Sequence, residues 1–369
     1  MPLLAQRAVI VGVGLIGGSL GLRWRQQGVV GEVVGCGRSP ERLARARELG
    51  AIDIAATDLA AALAGADLVV LAAPVQTCLD LAPEVCRLAE PGALITDVCS
   101  TKAAIVGAMA AHLPPGGATF IGGHPMAGAE QAGVEAADPY LFEQAVWALC
   151  PDAGTPDAPL QRLTALVETT GAHPLRLEPR QHDLRVAAIS HLPQLVAVAL
   201  AETAGEGEAG DPGLLALAGG GFRDTTRIAR SPADMWLDVL ATNRGPVLDQ
   251  LDRLAANLAR IRAAVAALDA PALRAHFQQA AQVRQRVPAR QKGLLPAYHD
   301  LVLFVPDRPG VIGALAGALG TRGINIQDVE ILRLREGEGG TLRLGFARAE
   351  EAQAALAALT ELGYRARRR

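Results

Sequence analysis

The chain has 369 residues, 50% of them apolar and 20% charged, with a formal net charge of −3. That composition supports two or three domains with buried cores and excludes a disordered chain. The balanced charge removes any general attraction to nucleic acid, and the terminal RARRR, Arg365–Arg369, reads as a solvated tail.

Five cysteines, Cys36, Cys78, Cys86, Cys99 and Cys150, make no C-x-x-C pair, which fits a reducing compartment. The N-terminus MPLLAQRAVIVGVG has no leader pattern, and no run approaches the ~20 apolar residues of a bilayer span. The expectation is a cytoplasmic protein with neither membrane nor nucleic acid as partner.

From Arg7 to about Leu177 short apolar strands alternate with helix-period segments: AVIVGVG, EVVGCG, DLVVLAAP, ALITDVCS, TFIGGH and VWALC. Strand-helix-strand repetition predicts an α/β domain over residues 1–178 with a mostly parallel, doubly wound sheet. Its first strand runs into Gly12-Val13-Gly14-Leu15-Ile16-Gly17-Gly18-Ser19 and then into a helix. Glycines permit the tight turn and close helix packing, and the helix N–H groups face a pyrophosphate, so this is a Rossmann-type dinucleotide site. Gly12, Gly14, Leu15, Ile16, Gly17 and, after DLVVLAA, Pro74 are its candidate residues. The second strand ends in Gly35-Cys36-Gly37-Arg38-Ser39 without the acid that usually holds the NAD ribose. Arg38 and Ser39 suit a 2′-phosphate, so NADP is expected to serve at least as well as NAD.

Residues 179–288 read as helical almost throughout, including ALAETAGE and the Ala- and Leu-rich VLDQLDRLAANLARIRAAVAAL. Such a surface is suited to burial against a second copy. Residues 289–298, within QRVPARQKGLLPAYHD, read as a linker. Residues 299–369 then give strand, helix, strand, strand, helix and a last short strand, the order of a ferredoxin-like α+β domain.

Chemistry-bearing stretches fall in the first two domains: Ser100-Thr101-Lys102, GGHPMAGAE with His124, Ser190-His191-Leu192-Pro193, GGGFRDTTR ending at Arg227, and Met235-Trp236. In a doubly wound fold the residues just beyond strand C-termini face the cofactor crevice, which places Ser100 and His124 there. A histidine near neutrality is suited to general-base work, and a planar guanidinium can hold a carboxylate. No metal-ligand spacing occurs.

In the order VGVGLIGGSL, DVCSTK, GGHPMAG, ISHLP, GGGFRDTTRIA and DMW, nearly the whole chain resembles the prephenate/arogenate dehydrogenases of tyrosine biosynthesis. The resemblance implies that His124 accepts the substrate hydroxyl proton while hydride leaves for the nicotinamide, and that Ser100 assists at that hydroxyl. It implies substrate contact by His191, a ring-carboxylate bond from Arg227, and supporting places for Arg223, Gly220 and Trp236. Glu130 and Asp224 are candidate gating charges. Cys99 stands where relatives often have glycine, and Ala129 where many carry threonine, which leaves prephenate and arogenate both open as substrates. From another class, an amino-acid-responsive regulator without catalysis is argued against by His124, Ser100 and Arg227 together. A β-hydroxyacid dehydrogenase would need a lysine in the helical domain, where only Lys292 is available, at its edge.

The segment Asp307-Arg308-Pro309-Gly310-Val311, followed by Gly323-Ile324-Asn325-Ile326, resembles an ACT domain. This implies a bound amino acid near Asp307, Pro309, Gly310, Val311, Asn325 and Ile326, with tyrosine as feedback effector. The expected assembly is a homodimer.

Overall fold

The computed structural model describes residues 2–128, 131–287, 299–306, 308–335 and 339–368. Ala129, Glu130, Lys292, Asp307 and the linker 289–298 lie outside the described residues. The chain forms two compact units, Met1–Gly293 and Leu294–Arg369.

The first unit opens with β1 (Ala5–Val11), α1 (Leu15–Gln27), β2 (Val30–Cys36), α2 (Pro40–Glu48), β3 (Ile54–Ala56), α3 (Leu59–Leu63) and β4 (Leu68–Leu71). It continues through α4 (Val75–Leu88), β5 (Leu94–Asp97), α5 (Ala103–His112), β6 (Thr119–Pro125), β7 (Val146–Pro151), α6 (Asp157–Thr169) and β8 (His173–Arg176). These strands make one sheet in the order β3-β2-β1-β4-β5-β6-β7-β8, parallel except between β6 and β7. Alternation along the strands splits the core in two. Ala8 and Ile10 pack with Leu20 and Trp24 on one face, while Val9 and Val11 pack with Val69, Ile95 and Met109 on the other. The chain order reverses between β1 and β4, so the carboxyl ends of these strands open a crevice there.

The helical part follows as α7 (Pro179–Val186), a π turn (Ala187–His191), α8 (Leu192–Gly210), α9 (Gly220–Thr226), α10 (Ala233–Thr242), α11 (Arg244–Ala266) and α12 (Ala270–Arg286). The run Pro179–Gly210 is a continuous helix. By length and composition it is apolar enough to cross a bilayer, with mean hydropathy 1.5 over its best window, which corrects the expectation that no run approaches that limit. Its inward stripe is polar, however: His182, Asp183, His191 and Gln194 are all buried. Leu237, Leu258 and Phe277 stand exposed on α10, α11 and α12, a surface a monomer seldom leaves uncovered.

The second unit contains β9 (His299–Val305), α13 (Val311–Gly320), β10 (Asp328–Arg335), β11 (Gly339–Phe346), α14 (Ala349–Glu361) and β12 (Ala366–Arg368). Its antiparallel sheet runs β10-β11-β9-β12, the ferredoxin-like arrangement read from the sequence. Leu301, Leu303, Leu342 and Leu344 pack against Leu315, Leu319 and Leu359 of the two helices. Arg343, pointing oppositely to Leu342 and Leu344, is buried beneath Asp300, Asp328 and Glu330.

Candidate active site

The glycine turn after β1 is shaped by close approach. Gly12 has φ +99°, and a Cβ there would stand 2.7 Å from the Ala72 carbonyl oxygen. A Cβ on Gly17 would lie 2.3 Å from the Gly12 carbonyl oxygen, so α1 seats directly on the turn. Gly14 is different: a Cβ there would meet nothing within 4 Å, and it opens the N-terminus of α1 toward space, as a pyrophosphate requires. Leu15 and Ile16 are half-exposed in the first turn of α1, and Pro74 caps the N-terminus of α4 across the same crevice. The residues fit a dinucleotide.

At the end of β2 Arg38 is exposed, but Ser39 is already engaged. Its hydroxyl caps α2 by accepting from the Arg42 N–H at 3.2 Å and donates to the Glu41 carboxylate at 2.8 Å. That leaves Arg38 as the group suited to a 2′-phosphate.

Asp97, at the end of β5, organises the other side of the crevice. It is fully buried, accepts from the Cys99 N–H and the Gly123 N–H at 2.9 Å each, and pairs with the equally buried Lys102. One carboxylate therefore fixes both the backbone beside Ser100 and the backbone beside His124. Burial by itself would lower the Lys102 ammonium, but Asp97 and the surrounding thiols outweigh it and raise it, so the lysine stays charged. The Cys99 thiol is pushed well up by its hydrogen bond with Cys78 and by burial, so it is no nucleophile.

His124, half-buried at the end of β6, contacts His182 of α7 through Nδ1 and Nε2 at 2.8 Å. His182 Nδ1 in turn lies 2.9 Å from Asp183 Oδ1. Asp183 also accepts from the backbone N–H of Lys102 at 2.7 Å and of Ala103 at 2.9 Å, which caps α5. Burial first, and then the neighbouring His182, the Lys102 ammonium and His191, which make a further positive charge unfavourable here, hold His124 well below the ordinary histidine range.

His191 closes the π turn. In an unbroken α-helix, residues eight apart point about 80° apart, and the wider turn swings His191 back toward the line of Asp183. Buried Asn243 bridges them, its amide nitrogen donating to the Asp183 carbonyl at 2.8 Å and lying 3.2 Å from His191 Nδ1. A carbonyl only accepts, so the amide nitrogen is the donor to both, and neutral His191 carries its proton on Nε2. Burial pushes His191 down to about 4, which keeps it neutral. Trp236 packs edge-on at 5.8 Å between ring centroids, and its buried indole N–H has no partner among the described residues. The site thus offers a neutral histidine at one end and ring N–H donors at the other.

The structure brings His124, His191 and Trp236 into one polar cluster and leaves Ser100 half-buried just beyond β5, three residues after Asp97. Gly220, Arg223 and Arg227 are exposed on the 214–230 stretch, which is tied to α8 where Gln194 donates to the Ile228 carbonyl at 2.9 Å. Asp97, Lys102, His182, Asp183 and Asn243 were assigned no role from sequence. The signal for the two on α7 is that 182, 183, 187, 191 and 194 form the buried stripe of a helix although four of them are polar. In the second unit a cavity of about 180 Å³ is lined by Arg308, Gly310, Val311 and Ile331. Pro309, Asn325 and Ile326 do not line it.

A glycine turn of this form on a doubly wound sheet, facing a neutral histidine across the crevice, defines a dinucleotide-dependent oxidoreductase. Three family models match in succession: the prephenate dehydrogenase nucleotide-binding domain over residues 20–175, its dimerization domain over 178–279, and an ACT domain over 299–363. A prephenate dehydrogenase of Bacillus subtilis (strain 168) is 37% identical over 339 residues, 92% of this chain and 91% of that protein. The crystal structure of prephenate dehydrogenase from Aquifex aeolicus with hydroxyphenyl propionate and NAD+ has a TM-score of 0.71 at 30% identity, covering 76% of this chain and 98% of that one. A Synechocystis arogenate dehydrogenase structure has a TM-score of 0.67 at 31% identity, covering 76% and 99%. The chain belongs to the prephenate dehydrogenase family and carries a C-terminal ACT domain.

Proposed function

We propose that the protein catalyses the oxidative decarboxylation of prephenate to 4-hydroxyphenylpyruvate, with His124 as general base. The observation that carries this reading is a histidine kept neutral by its surroundings at the carboxyl end of a central strand of the dinucleotide sheet. Prephenate loses hydride from C4 and CO2 from C1, and the ring becomes aromatic. Held by Gly12, Gly14, Leu15, Ile16, Gly17 and Pro74, the nicotinamide cofactor supplies the hydride acceptor. His124 takes the proton of the C4 hydroxyl as hydride leaves, with Ser100 assisting at the same oxygen, and returns it to that oxygen once loss of CO2 has made the ring a phenolate. Arg227 binds the ring carboxylate bidentately, with Gly220 and Arg223 shaping that side of the pocket. His191 Nε2–H and the Trp236 indole N–H donate to the polar oxygens of the substrate's side chain. NAD is accepted at the Gly14 crevice, and Arg38 admits NADP.

In this reading residues 1–178 bind the dinucleotide and 179–288 bind substrate. The exposed apolar faces of α10 to α12 are covered by a second copy, giving a homodimer. Residues 299–369 bind tyrosine at the cavity beside Gly310 and Val311, and tyrosine lowers activity. The arogenate alternative keeps the same base and differs only at the substrate's side chain. A steady-state assay crossing prephenate and arogenate with NAD and NADP, with and without tyrosine, tests the whole. His124→Asn is expected to lower kcat by about 10²-fold or more. Unchanged turnover in that variant, or no turnover of prephenate by the wild type, refutes the proposal.

A further inference from the structure

We propose that His182 and Asp183 are positioning residues that fix the tautomer of His124, placing its lone pair on Nε2. The inference rests on the reading of His124 as base and extends it to the residues behind it. A carboxylate can only accept, so the 2.9 Å contact between Asp183 and His182 requires the proton on His182 Nδ1. In neutral His182 the other nitrogen, Nε2, is then an acceptor. The 2.8 Å contact from that atom to His124 Nδ1 is a hydrogen bond only if His124 Nδ1 bears the proton. Nε2 of His124 is left unprotonated and directed away from the chain of contacts. The polarity begins at one carboxylate and runs through two rings to the reacting nitrogen.

Asp183 cannot readily turn away from this task. It is buried and holds the N–H groups of Lys102 and Ala103 as the cap of α5, so the carboxylate is clamped from both sides. When His124 takes up the substrate proton, it keeps donating through Nδ1 to His182, and the carboxylate beyond offsets the new positive charge. The reverse state is inhibitory. If His182 is doubly protonated, it donates to His124 Nδ1 and forces the proton of neutral His124 onto Nε2, where no base remains. Besides His182 from α7, the charged and titratable groups facing His124 are Lys102 from the start of α5 and His191 from the π turn.

The full-length protein tests this by two readouts. In ¹⁵N-histidine-labelled protein above neutral pH, NMR should report His124 protonated at Nδ1 and not at Nε2. Among variants, His182→Gln preserves an acceptor toward His124 and a donor toward Asp183, whereas His182→Leu removes both. His182→Leu should lower kcat by about 10²-fold with KM for prephenate changed less than about threefold, and His182→Gln should recover most of that loss. The acid limb of kcat/KM should stay close to its wild-type position in His182→Gln, because neutral His182 and the glutamine amide both meet His124 Nδ1 with an acceptor. Wild-type His124 protonated at Nε2, or His182→Leu turning over at the wild-type rate, overturns the proposal. Full activity in His124→Asn would instead refute the base itself. If His182→Leu does not fold, the wild-type tautomer and the His182→Gln profile still decide.

Discussion

Replacing Asp97 by asparagine probes the buried clamp on which the crevice depends. The Asp97 and Lys102 side chains are both fully buried, and the carboxylate also accepts two backbone N–H bonds. Asparagine has one acceptor oxygen for donors approaching from two directions, and it leaves the Lys102 ammonium without a counter-charge. Breaking a buried pair from one side costs about 3–5 kcal/mol. At about 2–4 °C per kcal/mol for a unit of this size, melting should fall on the order of 10 °C. Thermal and urea unfolding of Asp97→Asn, Lys102→Met and the double variant measure it, with Arg45→Ala as an exposed control expected to lie within about 0.5 kcal/mol. The double variant should be more stable than the sum of the singles implies, by about 2 kcal/mol or more. A loss below about 1 kcal/mol in Asp97→Asn, or strictly additive singles, refutes the reasoning.

Stability should fall with acid. His191 sits at about 4 in the fold against 6.5 when unfolded, so between these values the unfolded chain binds a proton that the folded chain refuses. The contribution is complete above pH 6.5 and is lost as pH falls, reaching about 3 kcal/mol near pH 4, with His124 adding in the same direction. Urea midpoints flat between pH 7.5 and 4.5 would contradict this. Gly17→Ala should destabilise the fold, since its Cβ meets the Gly12 carbonyl oxygen at 2.3 Å, whereas Gly14→Ala should melt normally yet bind NAD more weakly by calorimetry. Arg38→Ala should raise the KM for NADP several-fold and leave that for NAD unchanged, and an equal effect on both would remove Arg38 from cofactor discrimination.

The sheet was legible because its strands are apolar runs punctuated by glycine turns, and steric demands at Gly12 and Gly17 are local. The two strands missing from the sequence reading, β3 and β8, are short edge strands without a buried apolar run, unlike the equally short β4 and β5, whose residues are all buried. His124 was legible for a related reason: it stands at the end of a recognisable strand. Its partner His182 lies 58 positions away, and nothing in either neighbourhood points to the other. Asp97 and Lys102 sit five apart, but only the burial of both reveals them as a clamp rather than surface charge. At Arg38-Ser39 the sequence suggested two groups for a phosphate, and the structure adds a second task for Ser39, the cap of α2.

The cap that Asp183 places on α5 also restricts how the protein can move. The sheet and the helical part meet at its two bonds to Lys102 and Ala103 N–H and at the Thr101–Thr242 hydroxyl contact of 2.8 Å, and on the helical side Asn243 braces Asp183 by donating to its carbonyl. A hinge that swung these parts open would strip a helix of its cap and expose a carboxylate, a histidine and a buried amide together. Opening motions should therefore spare this seam. The contact between His124 and His182 and the helix behind it should stay assembled as the protein moves.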